Sequence, residues 1–114
     1  MLWSLTDPRP DGLIAIEHPY FEQQEPMIWD EGGTYVETDH VFTQNVTHEW
    51  NHGLGEIVSA VLAAGLELTA LEEHDSVPWN ALPGLMTEIG GGEFRLTERP
   101  ERLPHTYTLQ ARRP

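Results

Sequence analysis

The sequence has no cysteine and no lysine, and all 6 of its basic residues are arginine, set against 19 acidic residues for a net charge of −13. Without cysteine there is no disulfide framework, no thiolate nucleophile and no thiolate zinc knuckle. Without a basic patch there is nothing to neutralise phosphates, so nucleic acid is excluded as an expected partner. Arg9 is the single basic residue before Phe94. No apolar run approaches the roughly 18–20 residues that span a bilayer, and Met1 to Pro10 lacks the basic and apolar parts of a signal peptide. A cytoplasmic chain that makes no use of a membrane is the expectation.

What is present suits one folded unit over residues 1–114. The length suffices for one core and not for two, and hydrophobic residues make up 39% of the chain, which excludes wholesale disorder. Charge is unevenly spread: Arg95, Arg99, Arg102, Arg112 and Arg113 give the C-terminal segment a positive balance. That segment is expected to lie against the acidic body, the alternative being an anion site.

Periodicity and turn chemistry predict the elements. Residues 1–12 read as a loop around Pro8, Pro10 and Asp11-Gly12, and Leu13 to Ile16 as a short strand ended by Pro19. Pro26 to Trp29 and Thr34 to Val36 flank Asp30-Glu31-Gly32-Gly33 as a hairpin. Phe42, Val46 and Trp50 share one parity and predict a half-buried strand. Leu54, Ile57, Val58, Val61 and Leu62 form the apolar stripe of a helix closed by Gly65, so that Val61→Asp is expected to unfold the domain. Leu66 to Leu71 and His105 to Ala111 alternate as strands. Between them Val77 to Pro104, with four prolines and Gly90-Gly91-Gly92, reads as a long excursion holding at most a short helix at Ala81 to Met86. His40 and His74 read as exposed polar positions.

Two local patterns carry chemistry. His48-Glu49-Trp50-Asn51-His52 spells the zinc-hydrolase pattern HExxH, with Glu72 or Glu73 as a conceivable third ligand. That chemistry needs both histidines on one helix face, whereas His48 to Trp50 ends a period-two strand. In a strand, residues four apart stand about 13 Å from one another, too far for one metal, so no metal ligand is assigned. Gly53-Leu54-Gly55 before a helix is a short, unspecific version of a phosphate-cradling loop.

The stretch Thr47-His48-Glu49-Trp50-Asn51-His52-Gly53-Leu54-Gly55-Glu56-Ile57-Val58, followed by Ala64-Gly65-Leu66 and Glu73-His74, resembles the C-terminal half of class I S-adenosylmethionine-dependent methyltransferases of the small-molecule type 11 or type 25 sort. The likeness extends through Met1-Leu2-Trp3-Ser4-Leu5, Glu17-His18-Pro19-Tyr20-Phe21-Glu22, Trp29-Asp30-Glu31, Val77-Pro78-Trp79, Arg99-Pro100 and Leu103-Pro104, so it covers nearly the whole chain. Members of that group carry an aromatic such as Tyr where this chain has His48, which favours a structural role there. The resemblance implies an α/β fold, the C-terminal portion of a doubly wound Rossmann-like sheet. Residues 1–50 would be a substrate-cover insertion, and residues 51–114 the last helix and the closing antiparallel strand pair. It implies a small-molecule methyl acceptor, with Glu49 and His52 as catalytic candidates and His18, Tyr20, Trp29 and Trp79 as substrate-binding candidates. The family's S-adenosylmethionine-binding residues lie upstream of this segment, so none is assigned here and tight cofactor binding by this chain alone is not expected. An exposed sheet edge would then take an N-terminal half or a second copy as partner. Two other readings stand beside this one: a non-enzymatic α+β binding module, and the zinc hydrolase.

Overall fold

In the computed structural model, which describes residues 1–32 and 38–114, strand β1 (Met27–Asp30) pairs antiparallel with β2 (Val46–Glu49). The second arm of the expected hairpin, Thr34 to Val36, and its Gly33 tip lie outside the described residues. Because side chains alternate across a strand, the register Met27↔Glu49 and Trp29↔Thr47 puts those four residues on one face. Ile28, His48, Asp30 and Val46 share the other, where Ile28 and Val46 are exposed.

The chain then turns through Trp50 to Gly53 into helix α1 (Leu54–Ala63), and Gly65 at φ 75° supplies the left-handed residue that stops it. Strand β3 (Glu67–His74) follows at once and pairs antiparallel with the final strand β6 (Thr106–Arg112), with a bulge between Leu68 and Ala70. Arg112 reaches Glu67 across this ladder at 2.8 Å and Arg95 reaches Asp75 at 3.3 Å, so the basic C-terminal segment does lie on acidic residues.

Several expectations are corrected. The strand expected over Phe42 to Trp50 is confined to Val46–Glu49 and is exposed along its length, because no layer covers the outer side of this two-stranded ladder. Leu13 to Ile16 is not a strand: the returning backbone is held by Glu17 and His18 N–H groups donating to the Leu5 carbonyl, and Ile16 stays exposed. The excursion between β3 and β6 is not loop throughout, since it folds into a hairpin of β4 (Met86–Gly90) and β5 (Glu93–Leu96). Gly90, Gly91 and Gly92 make the reversal at φ 103°, 66° and 80°, angles that strain any residue bearing a Cβ. Ala81 to Leu85 forms turns rather than a helix.

The core sits in the loop-rich parts. Leu2, Leu82 and Leu96 form its buried cluster, with Ile14, Leu85, Met86 and Leu103 packed around it. Val77 is buried too and exchanges two 2.9 Å backbone hydrogen bonds with Phe94. His105, 1% exposed, ties these pieces together. Its N–H donates to the His74 carbonyl at 2.7 Å, and its ring Nε2 accepts the Leu96 N–H at 3.1 Å. The proton therefore sits on Nδ1, which donates to the Leu103 carbonyl at 2.9 Å. His74, read from the sequence as exposed, is half-buried and its Nε2 meets Thr108 Oγ1 at 2.9 Å.

By contrast no residue of α1 is buried, and Leu62 is 53% exposed. The stripe Leu54, Ile57, Val58 and Val61 is only half-covered, because the two-stranded β3–β6 ladder is narrower than the face it meets. Val61→Asp therefore loses part of a face rather than a core position, and the expected unfolding is scaled down accordingly. The architecture is mixed α/β: three two-stranded antiparallel sheets and one helix among the described residues. No helix among them is long and apolar enough to cross a membrane.

Candidate functional site

The inward face of β1–β2 is one wall of a cavity of about 800 Å³. Met27, Trp29, Thr47 and Glu49 stand on that wall because period-two alternation puts them there. The segment after β2 forms the floor. Asn51 Nδ2 donates to the Ser4 carbonyl at 2.8 Å and to the Pro19 carbonyl at 2.7 Å, drawing the N-terminal segment and the Pro19 turn onto the strand end.

The start of α1 closes the same side. Gly53 is buried, and a Cβ on it would stand 3.2 Å from both Glu56 Oε2 and Tyr20 Cε1, so a larger residue there would need these side chains to give by a few tenths of an ångström. Its N–H donates to Glu56 at 2.7 Å, one half of a capping box whose other half a glycine cannot supply. The Leu54 N–H donates to the Tyr20 hydroxyl at 2.9 Å. Two of the amides that an anion would need at this helix start are thus engaged, which removes the phosphate-cradle reading of Gly53-Leu54-Gly55.

All six residues singled out from the sequence, Glu49, His52, His18, Tyr20, Trp29 and Trp79, line this cavity. His18 stacks edge-on against Trp29 at 5.1 Å, and its Nε2 meets Asp7 Oδ2 at 2.9 Å. His52 Nδ1 faces Glu22 at 3.4 Å. Glu49 accepts the Thr47 hydroxyl on Oε1 at 3.1 Å. Trp79 packs edge-on against Trp3 at 5.5 Å. Asp7, Glu31, Trp3, Trp50 and Asn51 belong to the same lining and were not singled out. Asn51, Trp50 and Trp3 stood inside stretches that carry the resemblance, but nothing in their spacing marked them as lining a site.

The HExxH letters do not assemble a metal site. His48 lies in β2 opposite Ile28 on the outer face, while Glu49 and His52 are on the cavity side. Among the described residues no group of three His, Asp or Glu side chains is placed to hold a metal ion.

No family model matches this chain, and neither a curated protein nor a solved structure matches it.

Proposed function

We propose that this chain is the substrate-side, C-terminal part of a class I methyltransferase acting on a small molecule, with its helix and final strands forming the end of a doubly wound sheet. The observation that carries the reading is the order α1, β3, long excursion, antiparallel β6, joined to a cavity built at the strand-to-helix turn, where open α/β sheets bind ligands. Its incomplete cover supports the same reading. The accessible surface of 8293 Å² exceeds the roughly 6,300 Å² expected for a folded monomer of this mass. A radius of gyration of 16.2 Å likewise exceeds the roughly 13 Å of a compact domain of this length. The difference, about 2,000 Å², is more than twice the roughly 800 Å² that one partner buries in a standard interface. In the complete fold the free edge of β6 and the uncovered stripe of α1 would meet the missing strands.

S-adenosylmethionine supplies the methyl group in such enzymes. The residues present do not fit it on their own, since the one strand–glycine–helix turn has its leading amides satisfied from within. The contribution of this chain is the acceptor's side: aromatic walls to orient it, and Glu49 and His52 as groups able to take a proton from it.

The test is the mass and ligand binding of the native polypeptide. A species larger than 12.9 kDa, or one that copurifies with a second chain, and that binds S-adenosylhomocysteine in calorimetry is the expected result. A monomer of 12.9 kDa with no affinity for that ligand overturns the proposal and leaves a binding module.

A further inference from the structure

The cavity has a pronounced chemical bias. All four tryptophans of the chain, Trp3, Trp29, Trp50 and Trp79, line it, and its charged side chains are the carboxylates Asp7, Glu31 and Glu49, with no arginine among the lining residues. The arginine nearest in sequence, Arg9, is held outside by Asp11 at 2.7 Å and Glu17 at 2.9 Å. The Met1 amino group is turned onto the His105 carbonyl at 2.8 Å. The two histidines of the wall each face a carboxylate of their own, Asp7 and Glu22.

Within this frame Trp29 and Glu49 are diagonal neighbours on one face of the β1–β2 ladder, a separation of about 7–8 Å. An ammonium group set between them touches the indole face and the carboxylate together. Indole is the best aromatic partner for a cation. Glu31 forms no ion pair among the described residues, and Glu49 has one oxygen left over after the Thr47 bond. The field of a chain of net charge −13 steers ligands of the opposite sign, cations, into the cleft.

We propose that this cavity binds a small organic cation, an amine with an apolar body, holding the ammonium between Trp29 and Glu49 and the body against the remaining indoles. On the methyltransferase reading this compound is the methyl acceptor, while binding itself rests on the cavity alone.

The experiment titrates the native polypeptide with phenethylammonium, its neutral analogue phenethyl alcohol and its anionic analogue phenylacetate, by calorimetry at low and high salt. The cation is expected to bind at least tenfold tighter than the alcohol and phenylacetate not at all, with the preference shrinking as salt rises. Glu49→Gln is expected to reduce the preference about fivefold, and Trp29→Leu to reduce it similarly. Should Trp29→Leu fail to fold, the exposed Glu49→Gln and the salt series carry the test. Equal affinity for cation and alcohol, tighter binding of the anion, or no binding of the cation by the folded protein overturns the proposal. Cation binding without affinity for S-adenosylhomocysteine overturns the enzyme reading and keeps this one; the reverse pattern does the opposite.

Discussion

Replacing Asn51 tests whether the cavity is held by the contacts that define it. Its amide nitrogen donates twice, to the Ser4 and Pro19 carbonyls at 2.8 and 2.7 Å, and both bonds are partly shielded from water. Each such bond contributes about 0.5–1.5 kcal/mol net, so Asn51→Ala is expected to lose about 1–3 kcal/mol. In urea, where the free energy of a small domain changes by about 1–3 kcal/mol per molar, this lowers the unfolding midpoint by roughly 1 M. Asn51→Asp sharpens the test, because it keeps the shape and replaces the donor with a carboxylate facing two carbonyl oxygens. It is expected to cost at least as much as alanine, since repulsion is added to loss. If the aspartate variant unfolds at the same urea concentration as the parent, the two bonds do not hold the N-terminal segment, and the geometry derived for the cavity floor is wrong.

Other substitutions follow the same logic. His105→Ala leaves the buried Leu96 N–H without an acceptor and opens a cavity in the core, for an expected loss of about 2–4 kcal/mol in a denaturant titration. Tyr20→Phe removes the acceptor for the first amide of α1; because that bond is exposed, the loss is expected to be only about 0.5–1 kcal/mol, read as a small shift of the midpoint. Asp11 is held down to about 2 from its ordinary 3.8, first by the Arg9 guanidinium and then by the Leu13 N–H. A carboxyl lowered by folding stabilises above its ordinary value and loses that contribution as pH falls toward about 2. The stability difference between the parent and Asp11→Asn is therefore expected to be constant at neutral pH and to vanish in that acid window. A difference unchanged at the lowest pH removes the pairing as its cause.

The elements that could be read from the sequence are those whose signal is local. Leu54 to Leu62 at helical spacing with Gly65 behind them marks α1, and the alternation around Leu68 and Leu109 marks the closing strand pair. The period-two run into Glu49 marked a strand but gave its faces the wrong way round: Val46, read as buried, lies on the exposed side, and the pairing with β1 turns Thr47 and Glu49 toward Trp29. The core was not legible, because its members carry no period. Leu2, Leu82 and Leu96 come from a 3₁₀ turn, a chain of turns and a four-residue strand, and His105 reads as a polar residue until Leu96 and Leu103 are seen to satisfy both ring nitrogens. The β4–β5 hairpin was hidden by its own turn: three consecutive glycines are a loop signal, and only their positive φ angles show that the loop is the tip of a ladder.

The mismatch between a well-specified helix and its poor burial is what the proposed larger assembly would resolve. Fully burying Leu54, Ile57, Val58, Val61 and Leu62 would stabilise by about 1.5–3 kcal/mol per side chain, yet none of them is buried. An amphipathic stripe this regular implies a face to cover it, and the β3–β6 ladder, with two strands, covers only part. A third strand beside β6 would widen the sheet under the helix and remove an exposed edge in one step. The consequence can be measured without knowing the reaction. On the proposed reading, Val61→Asp in the isolated chain is expected to cost less than the same substitution in an assembly that adds such a strand. An equal cost in both contexts would show that the helix face is already as covered as it ever becomes.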